Sequence, residues 1–323
     1  MPPTVADTST ARVAAAIRDP LPWEEFVRVA GTLEETGYTG MFLPEIAGRE
    51  AFSTLAAAAE HTDRLQLGTG VVTTTSRRAL TTAMAAATVQ EISGGRFILG
   101  LGTGPSGPGA LDRLRDTVAT LRGLFAGDRV DSADGPARLR APPADPPPVW
   151  LAALGPKAAH LAGEIADGVL LNWCTPERVA AARQEVRRGA ESAGRDPAQV
   201  VVAVYIRACV GLEDDAAIAV LRTATAEYAA IPAYRRQFER AGFANEAAVA
   251  GAAHRDRRPR DVPESLVRAV TVLGDAAAAR GALAAYRDAG ADLPIVYPVV
   301  ARDRASSLLG TLFALAPEPV LEP

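Results

Sequence analysis

Residues 149–183 read VWLAALGPKAAHLAGEIADGVLLNWCTPERVAAAR, and this stretch decides the fold. Residues 149–154 form a short, nearly continuous apolar run that stops at Gly155. Pro156 suits the first position of a helix, where its missing N–H would have no partner, and residues 156–165 carry apolar side chains at helical spacing. A second apolar run, 168–171, follows, and Thr175 before Pro176 is a good N-cap for a helix over 176–193. Strands that are continuously apolar, rather than alternating, are buried on both faces, as in a parallel sheet covered by helices.

The same rhythm extends in both directions. Further strand candidates lie at 11–17, 40–43, 65–72, 96–101, 200–210 and 293–299, which with the two above make eight. Helices are expected between them at 22–36, 52–61, 79–92, 109–125 and 276–289. The first has Trp23, Phe26, Val27, Ala30 and Leu33 at helical spacing, and Gly37 closes it. Eight alternating units fit an α/β fold, the (β/α)8 TIM barrel, whose usual size is about 250 residues plus insertions. An open doubly wound sheet is the rival. A single domain over residues 1–323 is expected, interrupted at 127–148, rich in Pro and Asp, and by a helical insertion at about 213–263. Insertions in βα loops lie at the C-terminal face where barrel sites form, so the second is either a lid or a solvated flap.

The composition narrows the partners. Of the 323 residues, 48% are hydrophobic and 22% charged, which excludes disorder over most of the chain and a small disulfide scaffold. A net charge of −4 argues against a coat for nucleic acid or an anionic membrane and leaves small molecules as partners. No apolar stretch reaches the roughly 18 residues of a membrane span, and the N-terminus lacks a charged segment leading into an apolar one, so a cytoplasmic protein is expected. Cys174 and Cys209 have no metal-ligand spacing and read as buried small hydrophobes in a reducing compartment. His61, His160 and His254 form no cluster, so no metal is expected, and no nucleophile elbow is present.

Several turns after strands invite ligands. Gly102-Thr103-Gly104-Pro105-Ser106-Gly107 has the GxGxxG form of a dinucleotide turn, but its strand is fourth in order, Pro105 stiffens it, and no acid ends a following strand about 20 residues on. Its glycines still permit close backbone approach to a ligand. Leu154-Gly155-Pro156-Lys157, with the sole lysine of the chain, opens a helix whose unpaired N–H groups make an anion site. Asn172 and Thr175, after the next strand, can donate to the same anion; two well-capped helices are the plainer account. Gly68 and Gly70 inside an apolar strand suggest a bulge or a ligand at close range. Glu45, in FLPE after the second strand, stands where a barrel places a catalytic acid, although a salt bridge or a helix cap is the commoner use of such a residue.

With these residues in view, the chain resembles the bacterial luciferase-like monooxygenases and deazaflavin-dependent reductases. The resemblance rests on GTGVVTTTSRR, AAATVQEISGGRFILGLGTG, VWLAALGPKAAHLAGEIADG, NWCTPERVAAAR and AYRDAGAD, in matching order and spacing. It implies a TIM barrel, usually a homodimer, that binds reduced FMN or coenzyme F420. By position, Gly70 and Val71 match a bulge that often holds a non-proline cis peptide under the deazaflavin ring, and Thr73 faces the ring or its side chain. Gly102, Thr103 and Gly104 match the wall at the fourth strand. Leu154, Gly155, Asn172 and Thr175 match positions that hold the cofactor phosphate, and Arg77 fits the family's arginine, although Ala79 stands where proline is common. Glu45 replaces a histidine of the sugar-phosphate and alcohol dehydrogenases, and Pro105 replaces an acid of the sugar-phosphate branch, so those substrates are not expected. Arg18 and Asp19, at a weakly matched strand end, receive no role. The implied activity is F420-dependent hydride transfer, with reduction of a C=C or C=N bond in a small molecule and Glu45 as the catalytic residue that orients or protonates the substrate. The alternatives are an FMN-dependent monooxygenase and a non-catalytic flavin-binding relative.

Overall fold

The computed structural model describes residues 12–18, 21–104, 107–132, 135–300 and 304–317. Ala11, Asp19, Pro105 and Ser106, on which parts of the sequence reading fall, lie outside the described residues.

The chain begins with β1 (Ala14–Ala16), α1 (Trp23–Glu35), β2 (Gly40–Leu43), α2 (Ala51–Ala59) and β3 (Gln66–Thr69). A two-residue strand, β4 (Val72–Thr73), continues β3 and is followed by α3 (Ala79–Ile92), β5 (Phe97–Gly102) and α4 (Ala110–Phe125). The Pro- and Asp-rich break holds an antiparallel hairpin, β6 (Val130–Ser132) and β7 (Gly135–Ala137). Then come β8 (Val149–Ala153), α5 (Pro156–Ile165), β9 (Gly168–Asn172), α6 (Pro176–Ser192) and β10 (Val201–Val210). The insertion is α7 (Asp214–Ala229), α8 (Pro232–Arg240) and α9 (Ala244–Arg255), and α10 (Glu264–Val270) leads out of it. The described chain ends with β11 (Thr271–Gly274), α11 (Ala276–Asp288), β12 (Leu293–Pro298) and α12 (Arg304–Ala314).

The strands close into a parallel barrel in the order β1, β2, β3, β5, β8, β9, β10, β12. Closure is made at β1, where Ala14 stands opposite Gly40 on one side and Ile295 on the other. The open-sheet rival is thereby excluded. One strand was not expected: β11 pairs with the far half of β10, Arg207–Val210, beyond the point where β10 leaves β9.

Burial on both faces explains the apolar runs. One face of the strands fills the lumen with Phe42, Ile98, Trp150, Leu170, Tyr205, Ile295 and Tyr297, and the other packs against the helices. Two strand glycines make room for the largest fillers, since a Cβ on Gly68 would lie 2.4 Å from the Phe42 ring and one on Gly168 would lie 2.7 Å from Trp150. The first helix shows a limit of the helical-spacing argument. Trp23 is 37% exposed and Val27 half-buried, whereas Val29 is buried beside Phe26, Ala30 and Leu33. Both cysteines are free and buried. The insertion has its own apolar cluster, built on Trp173 and Cys209 and including Leu221, Phe238 and Leu266, so it is not a solvated flap. Among the described residues no helix is long and apolar enough to cross a membrane.

Candidate functional site

The bulge after β3 and the end of β5 form one glycine-lined wall at the C-terminal mouth. The Gly70–Val71 peptide is cis. Gly70 N donates to Leu43 O at 2.9 Å, and its carbonyl accepts from the buried Tyr205 hydroxyl at 3.2 Å. Thr69 locks the wall from below: its hydroxyl donates to Gly100 O and accepts from Gly100 N, both at 2.8 Å. Val71, Gly102 and Gly104 then stack closely, because a Cβ on Gly102 would meet the Val71 side chain at 2.7 Å and one on Gly104 would meet Thr75 Oγ1 at 2.2 Å. Thr73 bonds Ser76 Oγ at 3.0 Å, and Thr103 donates to Gly104 O at 3.0 Å. Gly70, Val71, Thr73, Gly102, Thr103 and Gly104 are thus brought together, although protein neighbours already account for several of the glycines.

Glu45 lies beside this wall in the loop after β2. Its Oε2 accepts from Ala51 N at 2.9 Å and from Arg77 Nη2 at 2.9 Å, and the side chain is 19% exposed. Arg77 also reaches Glu50 at 2.5 Å. Its guanidinium is held above its ordinary pKa by the hydrogen bond it donates to Glu45, while Glu50, despite burial, is held low by hydrogen bonds from Ser53 and Phe52. The salt bridge and helix-start contact are therefore both present at Glu45.

Next along the mouth, between the starts of α5 and α6 and under α8, is a cleft of about 270 Å³. Leu154, Gly155, Pro156, Cys174, Arg178 and Gln237 line it. The Arg240 guanidinium lies 3.6 Å from where a Gly155 Cβ would be. Arg178 Nε and Gln237 Oε1 are buried there without a hydrogen-bond partner. Gln237 Nε2 donates to Cys174 Sγ at 2.8 Å, and burial pushes that thiol up to about 11, so it stays protonated. Lys157 is exposed and lines none of this cleft; Arg178 and Arg240 supply its positive charge, and Glu185, paired with Arg188 at 2.7 Å, is the carboxylate in its lining.

The four expected phosphate residues do not all meet around that cleft. Leu154 and Gly155 line it, whereas Thr175 is buried and caps α6, its hydroxyl accepting from Arg178 N at 3.4 Å. Asn172 follows the lumen-facing Gly168 and Leu170 on β9 and turns inward, its Nδ2 donating to Tyr234 on α8 at 3.0 Å and its Oδ1 accepting from Arg207 on β10. Arg207 and Tyr234 were not anticipated. A signal for Arg207 existed, since it is the one charged residue in VVAVYIRACV. It is 3% exposed, and its Cζ lies 4.0 Å from the Tyr297 ring centroid, 4.8 Å from Trp173 and 5.1 Å from Tyr228. Tyr234 is pushed up to about 12 by burial and Tyr297 likewise, so both hydroxyls keep their protons at neutral pH.

Comparison with known proteins places this geometry. The sequence model of the luciferase-like monooxygenases matches residues 5–293. A 5,10-methylenetetrahydromethanopterin reductase of Methanolobus tindarius is 36% identical over 199 residues, 57% of this chain and 60% of that protein, so the match spans less than two thirds of the relative. A putative coenzyme F420-dependent oxidoreductase of Mycobacterium tuberculosis is 26% identical over 316 residues, 85% of this chain and 91% of that one. Among solved structures, the coenzyme F420-dependent tetrahydromethanopterin reductase of Methanopyrus kandleri superimposes with a TM-score of 0.78 at 20% identity, covering 94% of this chain and 98% of that one.

Proposed function

The chain belongs to the luciferase-like monooxygenase family, and from that premise we propose that it is an F420-dependent oxidoreductase that reduces a C=C or C=N bond of a small organic molecule. F420 is favoured over FMN because the relative named for it covers 85% of this chain. The observation that carries the reading is the cleft beside the glycine wall. A buried Arg178 Nε without a partner, a second guanidinium on Arg240 and the N-terminus of α5 are the donor set of a phosphate site, so these residues fit the tail of such a cofactor.

Leu154 and Gly155 line the phosphate cleft, and Thr175 serves it by fixing the start of α6 and hence Arg178. Gly70, Val71, Thr73, Gly102, Thr103 and Gly104 form the wall for the ring. When bound, the reduced deazaflavin supplies a hydride equivalent at C5, and the chain supplies position and electrostatics. Glu45 orients the substrate, its carboxylate held in place by Arg77 and by Ala51 N. The insertion, reaching the mouth through Tyr228 and Tyr234, excludes water. Two free buried thiols suit a cytoplasmic location.

A homodimer formed over α3 completes the reading, because Met84 and Ile92 are exposed on a helix whose sequence, ALTTAMAAATVQEI, carries a single charge. Met84→Arg is expected to halve the mass measured by light scattering; a monomeric wild type would reject the dimer. The cofactor assignment is tested by titrating purified protein with F420 and with FMN. Saturable F420 binding, with FMN at least about tenfold weaker, is expected. Tighter binding of FMN, or no binding of F420, would overturn it.

A further inference from the structure

We propose that Arg207 and its aromatic cage form a binding site for an anionic group of the substrate, a carboxylate or a comparable two-oxygen anion. This deepens the preceding reading, resting on it for the redox chemistry and not for the binding itself.

The first observation is a buried charge without a counter-charge. Arg207 is 3% exposed, and among the described residues no carboxylate pairs with it. Glu227, which acts electrostatically on the neighbouring Tyr297, is paired with Arg18 at 3.7 Å. Removing a guanidinium from water is costly unless an anion compensates it. Here ring faces and two neutral oxygens stand in: Asn172 Oδ1, and Tyr228 OH at 3.3 Å. A guanidinium has five donors in a fork that matches a carboxylate, and those two acceptors use few of them.

The second observation is independent of the first. The Tyr297 hydroxyl and Trp173 Nε1 are both buried and both lack a hydrogen-bond partner, on residues 5% and 1% exposed whose rings face the same guanidinium. The indole can only donate, and the phenol keeps its proton. Two orphan donors beside an unneutralised cation lack the same thing, an acceptor with negative charge. Trp173 is moreover held at φ +53°, in the left-handed region that bulky residues avoid, a conformation that clusters at ligand sites.

Placement supplies the role. Asn172, Arg207 and Tyr297 stand at or near the C-terminal ends of β9, β10 and β12, the end of a barrel where substrates bind. Tyr205, two residues before Arg207, bonds the Gly70 carbonyl of the glycine wall, so the cage and the wall adjoin. Tyr228 and Tyr234 come from the insertion, which closes over Arg207 and Asn172 through these two hydrogen bonds.

The experiment uses benzoate and its neutral isostere benzamide as probes, with affinities read by calorimetry on cofactor-free and F420-loaded protein. Benzoate should bind the wild type at least about tenfold more tightly than benzamide. Tyr297→Phe, which deletes an unpartnered hydroxyl without changing shape, should weaken benzoate about fivefold or more while melting no lower than the wild type. Arg207→Gln should abolish the preference for the anion, and both variants should keep wild-type F420 affinity. Equal binding of the two probes, no binding of either, or unchanged benzoate affinity in Tyr297→Phe would overturn the proposal. A change in F420 affinity in place of benzoate affinity would do the same, by assigning the cage to the cofactor. Loss of F420 binding by the wild type with benzoate selectivity intact would instead refute the preceding reading alone.

Discussion

Replacing Arg178 by Met separates a phosphate site from a structural arginine by the sign of two effects. Arg178 Nε is buried with no protein acceptor, and an unsatisfied buried donor costs about 1–3 kcal/mol. Met keeps the apolar stem and removes that donor, so thermal unfolding of Arg178→Met without cofactor is expected at or above the wild-type temperature. With a phosphate in the cleft the effect reverses. A hydrogen bond to a charged group is worth about 1.5–3 kcal/mol, which corresponds to a loss of roughly 10- to 150-fold in F420 affinity. Adding Arg240→Ala, whose guanidinium stands over Gly155, should weaken binding further, by less than the first change because Arg240 is exposed. Equilibrium dialysis with F420 reads the affinities and scanning calorimetry of the same samples reads the stability. The reasoning is refuted if the double variant binds F420 within about twofold of wild type, or if Arg178→Met melts lower with unchanged affinity, since either result makes Arg178 a structural residue.

Three further outcomes follow from particular contacts. Glu45→Gln should lower turnover by up to about 10²-fold, the cost of a misplaced substrate, with F420 affinity unchanged; near-normal turnover with only a lower melting temperature would reduce Glu45 to the salt bridge with Arg77. Glu34 accepts from the backbone N–H groups of Asp63, Arg64 and Leu65, and against the upward push of burial these bonds hold its carboxyl below the usual value. A depressed folded pKa contributes stability above the unfolded value and loses it as pH falls through the folded one. Glu34→Gln should therefore be less stable than wild type at pH 7 by about 1 kcal/mol after solvent screening, and the gap should close below about pH 4; a gap in melting temperature independent of pH would count against the three-bond account. Gly100→Ala places a Cβ 2.0 Å from Thr69 O and 3.1 Å from Leu170, so the cofactor-free protein should lose roughly 1–3 kcal/mol. If its melting temperature holds while F420 affinity drops, that glycine serves a ligand and not the packing.

Strands buried on both faces leave continuous apolar runs, and the caps between them leave Gly155-Pro156 and Thr175-Pro176, so the barrel was legible in the sequence almost element by element. Where the reading missed, the local signal was absent or ambiguous. Thr271–Gly274 contains two large apolar residues and follows α10 with no intervening turn, so nothing punctuates β11. Helical spacing allowed Trp23 onto the buried face of α1, and only the packing of Val29 decided otherwise. The glycines at the mouth were read as clearance for a ligand, yet Gly70 and Gly102 already have Tyr205 and Val71 against them, a contact between distant strands that spacing does not encode.

The candidate site divides along the same line. Position after a strand marked Glu45, Gly155 and Asn172 as mouth residues, but it did not say which way each side chain turns. The two-residue period of a strand does say so. Leu170 faces the lumen, so Asn172 faces it too, away from the anion turn of α5; Tyr205 faces it, so Arg207 does as well. An arginine in an otherwise apolar run on the lumen side of a barrel strand is a buried cation by construction, and that alone asks for an anion. The sequence leaves unstated which residues meet it, because Tyr228 and Tyr234 arrive from an insertion and reach Arg207 and Asn172 only once α7 and α8 fold over the mouth. A barrel-end charge that the strand pattern dictates, covered by tyrosines that it does not, is the arrangement expected where selectivity resides in the strands and access to it is controlled by the loops.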